Sequence, residues 1–206
     1  MQKAAENKKA YNKAVDEKIL VVPRAELFNG PAPHGLYKFD EEKFKEIVQA
    51  KCEFKWRSKM EEDATFKQII PYLIFKFNDK LFLMQRSAST SEQRLKNLYT
   101  LGIGGHIREE DIATGSIIDW ANREFNEEIE YSGNFKAKFI GLLNDERNFV
   151  GKVHIGAVFV LEGDSDKIKI RSELANGRLA SIEDCQNLKD KMESWSQIAF
   201  DYLNKT

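Results

Sequence analysis

The stretch Gly104–Tyr131, GGHIREEDIATGSIIDWANREFNEEIEY, decides how the rest of the chain is read, and its core is Arg123-Glu124-Phe125-Asn126-Glu127-Glu128. On a helix, Glu124 and Glu128 stand one turn apart and Glu127 falls between them, so three carboxylates share one face. Like charges at these spacings repel by roughly 0.2–0.5 kcal/mol per pair. A hard divalent cation held by oxygens turns that repulsion into a site, which makes a metal the first expectation. Arg123 lies one turn before Glu127, within reach of a charge-assisted hydrogen bond that would orient a carboxylate. Helical spacing also puts Ile118, Ala121, Phe125 and Ile129 on one apolar stripe away from the glutamates, so one face packs on a sheet while the other presents acid. Ser116 followed by Asp119 fits a capping box, with Thr114 as an alternative cap. Gly104-Gly105 lets the backbone approach a ligand or metal with no side chain in the way.

Working outward, Tyr99–Ile103 reads as a short strand leading into the glycines, after a polar loop from Ser87 to Lys96. Before it, QIIPYLIFKF and KLFLMQR are strand-like runs separated by Asn78-Asp79, the signature of a tight β-hairpin. Pro71 inside the first run is expected near an edge or a bulge. Asp40 precedes Phe44, Ile47 and Val48 at helical spacing and is a good N-cap; ILVVP at 19–23 reads as a strand. After the central stretch, FKAKFIGLL, KVHIGAVFVLEG and KIKIR read as strands, and beyond Leu179 the pattern turns helical, over 182–191 and again around Trp195, Ile198, Ala199 and Leu203. Trp56 and Trp195 are expected in the core and Trp120 against the loop from Arg108 to Gly115. Strands on both sides of one central helix, closed by a further helix, suggest an α/β sandwich on a mixed sheet.

With 206 residues, 42% hydrophobic and 32% charged, the chain is long enough to bury a core and unlike a disordered one. A net charge of −1 argues against a basic face spread over the molecule, and hence against a stable nucleic-acid complex. Cys52 and Cys185 have no metal or redox spacing, no apolar run suits a signal peptide, and none approaches the ~18 residues of a membrane span. A cytoplasmic protein with no membrane partner is expected. Gly102-x-Gly104 is a near miss to a dinucleotide fingerprint, but Ile107 stands at the third glycine, and no P-loop pattern occurs.

The central stretch resembles the box of the Nudix hydrolases: Gly, five residues, Glu, seven residues, then Arg-Glu-apolar-x-Glu-Glu-x-Gly-apolar. REFNEE, residues 123–128, matches without a gap and Gly105 supplies the opening glycine. Asp111 takes the place of the first Glu, beside Glu109 and Glu110, and eleven residues instead of seven separate it from Arg123. Glu130 stands where Gly is usual, so Gly133 is expected to end the helix. QIIPY, LGIGGHI, VHIG and ESWS are similar to a branch of the superfamily described as predicted phosphoesterases.

The resemblance implies a Nudix-type α/β/α sandwich with a mixed β-sheet over residues 64–206, with residues 1–63 as an N-terminal extension packing on it. It implies hydrolysis of a phosphoanhydride bond in a nucleoside diphosphate derivative or related small molecule, dependent on Mg²⁺ or Mn²⁺. Glu124, Glu127 and Glu128 would be metal ligands, Gly105 would give a backbone carbonyl, and Arg123 would orient the glutamates. Glu124, Asp145 and Glu146 are candidates for the general base, and Asp111 for a weak ligand or base. Gly104, His106, Arg86 and His154 are candidate substrate contacts, with Arg94 beside Arg86. His106 would face the phosphates or be a turn histidine, and His154 points to the sheet face opposite Val153 and Ile155, which is the cleft face or the other. Two rivals share the fold: an isomerase of a prenyl diphosphate, for which neither cysteine sits by the box, and a non-catalytic nucleotide-sensing module. The diphosphate substrate is the expected partner; a homodimer is allowed for, with no code for it in the sequence.

Overall fold

The structure is a computed structural model that describes residues 16–86, 95–112, 117–171 and 174–205. Strands β1 (Lys18–Pro23), β2 (Gly35–Tyr37), β3 (Glu53–Trp56), β4 (Phe66–Phe77), β5 (Lys80–Arg86), β6 (Tyr99–Thr100) and β7 (Gly102–Ile103) precede the box helix. After it come β8 (Ile129–Tyr131), β9 (Phe135–Asn144), β10 (His154–Gly163), β11 (Ile168–Ile170) and β12 (Leu174–Ala180). The helices are α1 (Arg24–Leu27), α2 (Glu41–Lys51), α3 (Arg57–Met60), α4 (Ile117–Trp120), α5 (Asn122–Glu128), α6 (Phe149–Val153), α7 (Ile182–Leu188) and α8 (Ser194–Leu203). One sheet has the path β12-β5-β4-β10-β9-β2, with β1, β3, β6 and β7 attached to it; β8 and β11 pair separately. Its β4–β10 pairing is parallel and its other pairings are antiparallel, so the sheet is mixed as expected.

The hairpin forms where the Asn-Asp pair predicts it. Phe77 pairs with Lys80, and Asn78 takes a left-handed φ of 52°, which a tight turn between twisted strands requires. Pro71 is buried mid-strand, yet it meets no ladder it would break. On that side β4 changes neighbours, from β1 at Gln68 to β7 at Leu73, and Pro71 lies between. Through this gap the chain runs from β7 past Gly104 and Gly105 to Ile107, whose carbonyl accepts a hydrogen bond from Leu20 N at 2.8 Å. The first 63 residues therefore contribute strands β1, β2 and β3 to the sheet, and β1 borders the glycine stretch.

The two sheet faces carry separate cores. On one, Ile69, Leu73, Phe75, Ile155 and Ala157 pack with Phe44 and Val48 of α2 and with Ile117, Ala121 and Phe125 of the box helix. On the other, Tyr72, Ile74, Leu83 and Val158 pack with Cys185 of α7 and Ala199 and Phe200 of α8. Alternation along β4 and β10 assigns the remaining residues: Gln68 and His154 share the face of Tyr72 and Val158, and Lys67 shares the face of Ile69. Asp40 caps α2 as expected, accepting a hydrogen bond from Lys43 N at 2.7 Å.

Several expectations are corrected. Helix α5 stops at Glu128, not at Gly133, because Ile129 is extended (φ −127°, ψ 141°) and begins β8, whose pairing with β11 supersedes the helix. Ile129 is buried, but from a strand; and Ile117, not Ile118, anchors the start of the helical stripe. Strand β12 went unforeseen, since LANGRLA has neither strand periodicity nor an apolar run. The charged segment before Asp63 holds β3 and α3. Trp56 is 44% exposed beneath the Lys18 ammonium, whereas Trp195 packs edge-on against Tyr72 in the core. The caps at Thr114 and Ser116, and Arg94, lie outside the described residues.

Candidate active site

A helical run places the box residues: Ala121 keeps helical angles between α4 and α5, and Phe125 N donates to Ala121 O at 3.0 Å. With Phe125 buried against the sheet, Arg123, Glu124 and Glu127 stand at the rim of the helix toward the glycine stretch. Glu124 meets Gly105 so closely that a Cβ there would lie 2.5 Å from the Glu124 carboxyl carbon. Gly104 is tighter against its own neighbour, because a Cβ would lie 1.9 Å from the Pro71 carbonyl oxygen. The two glycines thus let the loop slip between β4 and the box helix, one bearing on backbone and the other on a carboxylate.

Arg123 is the clasp of this site. Its Nε and Nη2 donate to the two Asp111 carboxylate oxygens at 2.7 and 3.0 Å, and Nη2 also donates to His106 O at 3.2 Å. Its Nη1 lies 2.7 Å from Glu124 Oε1 and 3.2 Å from Glu127 Oε2. Asp111, expected as a ligand or base, instead holds the guanidinium in a bidentate fork. Burial alone would raise the Asp111 carboxyl, but Arg123 and the Arg108 N–H overcome it and hold the pKa below its ordinary value. Glu124 goes the other way, raised because burial outweighs the attraction of Arg123. Asp111→Asn, which keeps the shape and removes the charge, is expected to lower activity about 10–100-fold, the usual effect of disturbing a group that orients a site's ligands. A steady-state comparison with wild type checks this.

Not every expected residue joins the clasp. Glu127 is the outermost carboxylate, with 58% of its side chain exposed, and Glu128 is half-buried at the end of α5. Arg86 ends β5, pairs with β12 and has a buried Nε with no hydrogen-bond partner among the described residues. Asp145 is buried and held by Arg147 at 2.6 Å, which lowers its pKa. Glu146 is engaged by two cations, Arg24 at 3.0 Å and Lys67 at 2.9 Å. Burial raises its carboxyl, but Lys67 and Arg24 prevail and leave it lowered. His106 and His154 find each other instead of the glutamates: their Nε2 atoms are 3.1 Å apart, on the α8 side of the sheet. Sequence reasoning passed over Lys67, a fully buried lysine whose Nζ donates to Asn144 Oδ1 and Gly151 O, both at 2.9 Å. Its signal was a lone charge inside an apolar strand.

The donor set suits a hard cation. Glu124, Glu127 and Glu128 offer only carboxylate oxygens on one helix, and the absence of a Cβ at Gly105 makes the space that the Glu124 carboxylate occupies. In this arrangement the cation between Glu124 and Glu127 is the Arg123 guanidinium.

Comparison with known proteins bears on the fold and the family. No protein-family model matches the chain. The solved structure of "Tm1382, a putative Nudix hydrolase" superposes with a TM-score of 0.78 at 31% identity, covering 92% of this chain and 99% of that one. The chain belongs to the Nudix hydrolases, enzymes acting on phosphorus-containing anhydrides. Among particular relatives, Protein YmaB of Bacillus subtilis (strain 168) is 34% identical in an alignment of 203 residues that covers 92% of this chain and 98% of that protein. The bifunctional NMN adenylyltransferase/ADP ribose pyrophosphatase of Francisella tularensis, complexed with AMP and a manganese ion, shares the fold at TM-score 0.50 and 18% identity, over 68% of this chain and 41% of that one.

Proposed function

We propose that the chain hydrolyses the diphosphate bond of a nucleoside diphosphate derivative, with Mg²⁺ or Mn²⁺ held by Glu124, Glu127, Glu128 and the Gly105 carbonyl. The observation that carries this reading is the approach of the Glu124 carboxylate to the bare Gly105 backbone, with Arg123 clasping both that glutamate and the loop carbonyl after it. When bound, a divalent ion neutralises phosphate oxygens and lowers the pKa of water, which is the chemistry this hydrolysis needs. The chain's own residues supply the rest. Arg123 keeps the carboxylates in place and ties them to Asp111; Gly104 and Gly105 keep side chains out of the space beside them. Among the acids weighed as base, Glu146 is the weaker candidate, because two cations already stabilise its charged form and lower its basicity. Glu124 is the better one.

The test is a panel of nucleoside and non-nucleoside diphosphate compounds with the full chain, read by phosphate release in Mg²⁺ and in Mn²⁺. On the best substrate, Glu127→Gln is expected to lower kcat/KM about 100–1,000-fold, the loss typical of removing one stabiliser of transition-state charge. Its melting temperature should stay close to wild type because the side chain is largely exposed. Unchanged turnover would overturn the assignment. Tight nucleotide binding with no turnover across the panel would instead support a sensing module.

A further inference from the structure

On the far side of the glycine stretch from Glu124, three side chains from distant parts of the chain converge. His106 Nε2, His154 Nε2 and a Glu61 carboxylate oxygen all lie within 4.8 Å of one another. They come from the residue after the double glycine, the first residue of β10 and the C-terminal end of α3. Gln68 Oε1 stands 2.7 Å from His106 Nε2, while Gln68 Nε2 is fully buried with no hydrogen-bond partner among the described residues. We propose that His106, His154 and Glu61 form a second cation site, separate from the box, that takes a zinc-class transition metal and ties the N-terminal segment to the glycine loop.

The chemistry selects the metal. Two imidazoles, a carboxylate and a neighbouring amide oxygen make a mixed nitrogen and oxygen set, which suits Zn²⁺ or Co²⁺ better than Mg²⁺. An ion about 2.0–2.1 Å from each nitrogen sees a 3.1 Å Nε2 pair at an angle of roughly 100°, near tetrahedral geometry. The outer contacts are those of a ligand set. His154 Nδ1 bonds to the Val150 carbonyl at 2.7 Å, which assigns the proton to Nδ1 and directs the Nε2 lone pair at the site. Glu61 is held from behind by Arg57 Nε at 3.3 Å. Without metal, His106 Nε2 donates to the Gln68 amide oxygen at 2.7 Å, so binding moves that proton to His106 Nδ1. His106 and Glu61 are half-buried and leave an approach, while His154 forms the floor.

This site stands independently of the hydrolysis reading, and the experiment separates the two. The full chain carrying Glu127→Gln, so that the box contributes less, is stripped with chelator and titrated with Co²⁺, then with Zn²⁺. The expected results are one equivalent bound, visible ligand-field bands of a tetrahedral nitrogen-ligated ion, bleaching by Zn²⁺, and a higher melting temperature with metal. His154→Asn, which can keep the hydrogen bond to Val150 O but lacks Nε2, and Glu61→Gln, at the edge of the core, are each expected to weaken binding at least 100-fold. Both are first checked for a cooperative melt without metal. Failure of the parent to bind stoichiometrically, or binding by a folded Glu61→Gln or His154→Asn chain with parental affinity, would overturn the proposal. So would a Co²⁺ spectrum of oxygen-only ligation.

Discussion

Gly105→Ala is expected to lower kcat/KM at least about 100-fold while leaving the melting temperature within a few degrees of wild type. The added Cβ would lie 2.5 Å from the Glu124 carboxyl carbon and 2.6 and 2.8 Å from its oxygens. These atoms end a flexible side chain, so the fold escapes the clash by rotating Glu124 away. What it loses is the carboxylate's position, and a displacement of about 1 Å in a reacting constellation costs on the order of 100-fold. Gly104→Ala is the control with the opposite signature. There the Cβ meets the Pro71 carbonyl at 1.9 Å, and backbone inside the sheet cannot rotate aside. Overpacking of that kind costs about 1–3 kcal/mol or more, so the melting temperature should fall by several degrees in a chain of this size. Measuring both quantities for both variants checks the argument; a destabilised Gly105→Ala with normal turnover would sink it.

Lys67→Met is expected to cost about 3–5 kcal/mol, because it removes a fully buried ammonium and leaves a partly buried carboxylate and three buried acceptors without it. In melting temperature that is on the order of 10 °C. Methionine keeps the apolar stem, so the loss falls on Glu146, Asn144 Oδ1 and the carbonyls of Gly151 and His154, which the ammonium now joins. The effect has a pH dependence of definite sign. The folded-state pKa of Glu146 is lowered by Lys67 and Arg24, so its contribution is present above the ordinary glutamate range and lost as pH falls through the lowered folded value. Lys67→Met should therefore flatten the acid limb of the stability curve. The double change with Glu146→Gln should recover part of the loss, because it removes the carboxylate left with Arg24 alone. Equal melting curves for wild type and Lys67→Met would refute the account.

What the sequence disclosed is set by range. The Asn78 turn, the Asp40 cap and the box helix are written in neighbours a few residues apart, and each lies where local chemistry puts it. Strand β12 is different. Residues Leu174–Ala180 are held by pairing with β5, with a register shift between Ala175 and Arg178 where Asn176 takes a φ of 54°, and nothing local announces a partner so far up the chain. The site divides the same way. Arg123 and the glutamates follow from helical spacing, but the use of Asp111 as the arginine's anchor appears only when the loop closes. His106 and His154 are 48 residues apart, and only the parallel pairing of β4 with β10 and the passage of the glycine stretch along β4 bring them together.

The fork between Arg123 and Asp111 bears on how such a loop can change length. The chain is held on both sides of the loop before α4, at Asp111 by the guanidinium and at Ile117 by the core, so a change of length between these points need not reach the carboxylates. For a flexible connection, each doubling of length costs only about 0.6 kcal/mol of closure entropy. A single hydrogen bond to a charged group is worth about 1.5–3 kcal/mol. Between Asp111 and Ile117 a change of length is thus expected to be nearly neutral for the chemistry, leaving that stretch available to acquire contacts of its own without moving the site.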